Sequence, residues 1–133
     1  MKSRHLTRPA LLCCAILYDA AAWAAPGRPT YVNCLAMDPS APGTVYSGRK
    51  AGGVLKTTDA GKTWAPAGKW DEIASVRALA VDPAHPHTVY AGTFSGRVMK
   101  STDAGAHWAR LPLDVYSTPI QAIAVDPKNS RTI

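Results

Sequence analysis

The hydrophobic positions of this chain fall in short runs at a constant spacing. Val32 to Met37, Val76 to Val81 and Ile120 to Val125 are each nearly continuous in apolar or small residues. Each run closes on Asp-Pro, at Asp38-Pro39, Asp82-Pro83 and Asp126-Pro127. Continuous apolarity, without alternation, predicts a strand buried on both faces. Asp-Pro ends it, because proline fixes its own φ and pushes the residue before it out of the helical region. A Thr-β-branched pair follows at Thr44-Val45, Thr88-Val89 and Thr132-Ile133. In the first two cases Tyr46/Gly48 and Tyr90/Gly92 complete a second strand. Gly52 and Gly96 mark the next turn. Val54-Leu55-Lys56 and Val98-Met99-Lys100 make a third strand, and a fourth begins near Trp64 or Trp108.

The spacing is an internal repeat. Residues 30–73 align with 74–117 without a gap, and 19 of 44 positions are identical. A third copy opens at Thr118 and reaches Ile133. Four short strands in a repeat of this length are the signature of a β-propeller blade, a four-stranded antiparallel meander. The expected fold is all-β, with blade one at 30–73, blade two at 74–117 and the start of a third blade at 118–133. Strand one of a blade lines the crowded centre, which suits Ala36, Ala80 and Ala124. Cys34 aligns with Ala78 and Ala122 and is expected to be a small buried residue. A propeller takes about four blades or more. The chain is therefore expected to be a fragment or a prematurely ended reading frame, or else a short protein that completes a ring from several copies. Unpaired blade edges favour self-association.

Composition agrees. Eleven prolines and ten glycines argue against long helices. The N-terminus stands apart. Lys2, Arg4, His5 and Arg8 precede the apolar run Leu11 to Tyr18, and Ala22-Trp23-Ala24 offers a cleavage site before Ala25. Residues 1–24 read as a secretory signal peptide, which places the mature chain outside the cytoplasm, secreted or periplasmic. The apolar run is too short to cross a bilayer, so no transmembrane segment is expected in the mature chain. Cleavage removes three basic side chains and one acidic, so the net charge falls from +6 to +4. The remaining cations are scattered, which speaks against nucleic acid as a partner. Only Cys34 is left among cysteines, so neither an internal disulfide nor a cysteine zinc site is available.

The most regular phrase is TTDAGKTW at Thr57 to Trp64, repeated as STDAGAHW at Ser101 to Trp108. Gly61 and Gly105 suit a tight turn that needs positive φ. Asp59 and Asp103 are placed to accept hydrogen bonds from the turn's own N–H groups, with the hydroxyls of Thr57 and Ser101 joining them. Trp64 and Trp108 are expected to pack beneath the turn. The phrase lacks the alternating oxygen ligands of a calcium loop. His85, His87 and His107 form no ligand pattern. No metal and no cofactor is expected, and the role of the phrase is structural.

The phrase resembles the Asp-box, or BNR repeat, S/T-x-D-x-G-x-T-W. Thr57, Asp59, Gly61, Thr63 and Trp64 match throughout, as do Ser101, Asp103, Gly105 and Trp108; His107 departs at the Thr position. Residues 30–133 are similar to bacterial sortilin-type and xyloglucanase-like propellers, and also to photosystem II assembly-factor propellers. The resemblance implies a propeller and no single activity.

In a four-stranded meander the Asp-Pro turns and the Asp turns share one end. The opposite end carries the segments that vary between copies: Arg49 to Ala51, Thr93 to Ser95, Lys69 to Ala74 and Leu113 to Pro119. Variable loops on a repeated scaffold are where binding residues gather. The candidates are Arg49, Lys50, Trp70, Asp71, Glu72, Phe94, Asp114 and Tyr116. Trp70 beside two carboxylates suggests sugar stacking and acid/base work; the competing reading is a solvated loop with one anchoring Trp. The functional expectation is a non-enzymatic scaffold for a protein or glycan partner. A second is part of a glycoside hydrolase, xyloglucanase- or sialidase-like, with catalytic carboxylates mostly outside this chain or at Asp71, Glu72 or Asp114. A third, a binding protein like the photosystem assembly factors, rests on the resemblance alone. Arg28-Pro29 lacks the Ile of the sialidase segment, no arginine triad is visible, and no G-x-S-x-G, Walker or zinc motif occurs.

Overall fold

The computed structural model describes residues 31–70, 74–113 and 118–133. The leader at 1–24 and the candidates Asp71, Glu72, Asp114 and Tyr116 lie outside the described residues. Among the described residues eight strands form two four-stranded antiparallel sheets of identical topology. The first holds β1 (Val32–Met37), β2 (Val45–Arg49), β3 (Val54–Thr57) and β4 (Ala65–Pro66); the second holds β5 (Val76–Val81), β6 (Val89–Thr93), β7 (Val98–Ser101) and β8 (Ala109–Arg110). Both run in sequence order, and no helix occurs among the described residues. These are two β-propeller blades.

The same residues produce the same register. Tyr46 pairs with Ala36 and Lys56, and Tyr90 with Ala80 and Lys100. The pairing slips between Val32 and Cys34 and again between Val76 and Ala78. The fourth strands are only two residues long.

The core runs between the sheets. β5 packs across β1 and β2. Tyr46, Val54, Ala67, Val76, Leu79, Val89 and Ala91 form one buried cluster, with Trp70 and Trp108 packed at its side. Val76 is fully buried. Burying a valine contributes about 1.5–3 kcal/mol. Gly48 makes the close approach possible: a Cβ there would sit 2.7 Å from Cγ1 of Val76 and 2.5 Å from Sγ of Cys34.

Two expectations need correction. Strand one is buried as expected only in blade two. Val76 and Leu79 are 0% and 9% exposed, while their counterparts Val32 and Leu35, and Met37 beside them, are each 58% exposed. Among the described residues a neighbouring blade covers β5, and none covers the outward face of β1. The third apolar run, Ile120 to Val125, forms no strand. A strand needs a partner ladder, and among the described residues the only bridge near this run is Asp126 with Asn129. The run still docks where strand one should: Ile120 N donates to the Thr93 carbonyl at 3.1 Å, and Ile120 and Ile123 fill the space over Gly92.

Candidate functional site

The Asp turns and the Asp-Pro turns do share one end. Ala60 N donates to Gly43 O at 3.0 Å, and Ala104 N to His87 O at 2.8 Å. In the first Asp turn the Thr57 hydroxyl donates to Asp59 Oδ1 at 2.7 Å and accepts from Gly61 N at 2.9 Å. Thr63 N donates to Oδ1 at 2.8 Å, and the Thr63 hydroxyl donates to Oδ2. The second turn repeats this with Ser101, Asp103 and Gly105. His107 takes the place of the threonine: its N–H donates to Asp103 Oδ1 at 2.8 Å, and its Nδ1 lies 2.7 Å from Oδ2, so the pairing tautomer carries the proton on Nδ1. The departure from the motif therefore preserves the bond.

These bonds favour the ionised carboxylates. The Thr63 hydroxyl, then the Thr63 N–H and the Thr57 hydroxyl, lower the Asp59 pKa to about 2. The His107 N–H, then its ring and the Ser101 hydroxyl, hold Asp103 well below the usual carboxylate range. Each carboxylate oxygen accepts at least one bond from its own turn. Two residues of each turn are left-handed: Ala60 and Gly61 at φ 59° and 89°, Ala104 and Gly105 at 56° and 88°. The two alanines were not legible as such in the sequence.

The tryptophans reach further than the turn. Trp64 Nε1 donates to Gly61 O at 3.2 Å. Trp108 Nε1 donates to the equivalent Gly105 O at 3.1 Å and also to Ala67 O of the first blade at 2.9 Å. Tyr46 OH and Lys56 Nζ, both of the first blade, donate to Ala104 O at 3.3 and 3.2 Å. Burial, then the charge of Asp38, pushes the Tyr46 pKa to about 12, so the phenol remains a donor. The second Asp turn thus clamps one blade to the next.

Beside this clamp lies a cleft of about 540 Å³, bounded by Asp38, Tyr46, Lys56, Pro86 and His87. At its Asp38 wall the two blades differ. In blade two the buried Asp82 receives the Ser130 hydroxyl at 3.0 Å. The residue matching Ser130 one repeat earlier is Pro86, which has no hydroxyl to offer Asp38. Burial would raise the Asp38 pKa, but bonds from the Ser40 hydroxyl and N–H and from Ala41 N hold it below the usual value. Among the described residues no group of three or more His, Cys, Asp or Glu side chains is arranged to hold a metal.

The candidates at the opposite end divide. Arg49 folds back on its own turn, donating to Gly52 O at 2.7 Å, and burial lowers its pKa. Trp70 is taken up in packing: its indole N–H donates to Ala67 O at 2.9 Å, its ring lies 5.1 Å from that of Trp108, and it fills the space beneath Gly53. Lys50 and Phe94 remain at the surface. Lys50 Nζ stands 5.6 Å from the Tyr31 ring, and the Arg77 guanidinium 4.8 Å from the Phe94 ring. Lys50 N donates to Tyr31 O and Phe94 N to Ser75 O, so both pairs sit at the end away from the Asp turns. Tyr31 and Arg77 were missed in the sequence. Their signal was available: both differ from their repeat counterparts, Ser75 and Asn33.

No family model and no curated protein matches the chain. Solved structures do. The chain is similar to a GH74 xyloglucanase of Xanthomonas campestris, with TM-score 0.60 and 24% identity over 79% of this chain and 19% of that one. It is similar to a GH74 enzyme of Niastella koreensis, with TM-score 0.58 and 24% identity over 73% of this chain and 17% of that one. An ancestral GH74 enzyme gives TM-score 0.58 and 19% identity over 71% and 14%. The chain spans less than a fifth of the length of the xyloglucanase. The likeness is one of propeller fold.

Proposed function

We propose that this chain is an Asp-box propeller segment, secreted or periplasmic, whose blades at 30–73 and 74–117 carry a binding face for a glycan or protein partner. The observation that carries this reading is the pair of cation-aromatic contacts at the variable end, Lys50 with Tyr31 and Arg77 with Phe94. Phe94 is 53% exposed and Tyr31 60%, and neither belongs to the buried cluster. Exposed aromatic faces beside cations suit sugar rings and protein side chains alike. The Asp turns are left a structural role, since their carboxylates are bonded within the turn and the second turn clamps the two blades.

Titration with a panel of soluble polysaccharide fragments and peptides, read by calorimetry, tests the reading. Phe94→Ala is expected to weaken a detected ligand by about tenfold or more, the scale of an aromatic anchor. Binding unchanged in Phe94→Ala and Tyr31→Ala would move the site elsewhere. N-terminal mass analysis of exported protein tests secretion, with Ala25 expected as the first residue.

A second reading is favoured by the likeness of fold to xyloglucanases: a part of a glycoside hydrolase, with its catalytic carboxylates mostly outside this chain or at Asp71, Glu72 or Asp114. Such chemistry needs two carboxyl groups across a glycosidic bond. Xyloglucan hydrolysis lost in both Asp71→Ala and Glu72→Ala would favour it; activity retained in both removes those residues.

A further inference from the structure

The junction between the two blades has a donor half and a receiving half. The donor half is strand one of the following blade, with Val76 and Leu79 buried on the preceding sheet. The receiving half centres on Gly48, whose missing side chain admits Val76. Polar clamps close it: Tyr46 and Lys56 on Ala104 O, and Trp108 on Ala67 O.

Both halves recur unsatisfied or weakly filled. Among the described residues nothing covers the donor face of β1, with Val32, Leu35 and Met37 each 58% exposed. Trp64, half-buried, reaches only its own turn among the described residues. The receiving half of blade two centres on Gly92 and holds Ile120 and Ile123. These residues ride on a segment outside any strand. Tyr90 and Lys100 repeat the arrangement of Tyr46 and Lys56, each ammonium 5.4 Å from its ring. Among the described residues no following Asp turn meets them.

We propose that copies of this chain associate head to tail, β1 of one copy docking on blade two of another, and that Ile120 and Ile123 act as an internal competitor for that site. Val32 and Leu35 of the incoming copy take the places of Ile120 and Ile123, because each pair holds the same repeat positions. Tyr90 and Lys100 then meet Ala60 O of the incoming Asp turn, as Tyr46 and Lys56 meet Ala104 O. Trp64 of the incoming copy reaches Leu111 O, as Trp108 reaches Ala67 O. The occupant is a second copy because the intrachain junction already shows this surface pairing with this sequence. The incoming β1 arrives on a complete four-stranded sheet, whereas the resident segment brings no ladder. Tethering gives the resident segment an effective concentration of roughly millimolar, so association emerges only as protein concentration rises. This proposal stands independently of any ligand at the variable end.

Sedimentation velocity of the full chain across a range of concentrations tests it, with near-UV circular dichroism confirming the fold of each variant. The full chain is expected to associate reversibly. Leu35→Glu, at an exposed position, is expected to weaken association by about tenfold or more, the worth of one buried leucine. Ile123→Glu is expected to strengthen it by ejecting the competitor. Trp64→Phe, which removes the indole N–H together with part of the ring, is expected to weaken it and keeps the test valid if Leu35→Glu misfolds. A chain monomeric at every concentration, association indifferent to Leu35→Glu and Trp64→Phe, or no gain from Ile123→Glu overturns the proposal.

Discussion

At the scale of single residues, the turn aspartates and tryptophans carry different duties. Asp59 accepts the bonds that close its turn, and the turn holds its pKa at about 2. A depressed carboxylate contributes stability that is complete above its unfolded value, about 3.9, and disappears as pH falls through the folded value. Thermal unfolding followed from pH 6 to pH 2 is expected to show Tm falling between about pH 4 and pH 2. Asp59→Asn with Asp103→Asn is expected to lower Tm at neutral pH and to flatten that slope. A residual slope remains from Asp38 and Asp82, whose pKa values are also lowered. The tryptophans separate on a different test. Trp108→Phe removes one of the two indole donors to the Ala67 carbonyl, with part of the ring packed at the junction, and is expected to cost about 1–2 kcal/mol. Trp64→Phe loses a bond within one partly exposed turn and costs about 0.5 kcal/mol. Denaturant titration of the two variants at low protein concentration gives the ranking.

At the scale of elements, the repeat dictates strand identity while neighbours dictate burial. The runs Val32 to Met37 and Val76 to Val81 became strands with those bounds because TVY-x-G segments lay within reach to pair with them. Ile120 to Val125, with the same pattern, lacks such a ladder among the described residues and stays extended without one. Glycine tests the difference. A Cβ at Gly48 meets Val76, which is held on a paired strand, whereas at Gly92 it meets Ile120 on an unpaired one. Gly48→Ala is expected to cost about 1–3 kcal/mol through overpacking, and Gly92→Ala less, because Ile120 can give way. Chemical denaturation checks the order.

At the scale of the molecule, the two sheets share one core, so they are expected to unfold together. Val54→Ala removes buried volume from β3 and is expected to cost about 2–3 kcal/mol. Hydrogen exchange is expected to show protection falling in β6 as well as in β2. Loss confined to the first sheet would mean that the blades fold separately.

The sequence by itself determined the blade. Period, Asp-Pro stops, TVY-x-G strands and the Asp turn are local patterns, and local backbone physics is enough to read them. It also indicated which end of the blade varies, because the meander allows only one arrangement of its loops. Only the tertiary structure decided what each variable residue does. Trp70 and Arg49 stand in the same class of loop as Phe94 and Lys50, yet the first two are consumed by packing and by a carbonyl of the turn. The structure likewise turned Trp108 from the floor of its own turn into a clamp on the neighbouring sheet. Burial and partnership are properties of pairs of elements distant in the chain, and a pattern repeated every 44 residues is blind to which copies have a neighbour.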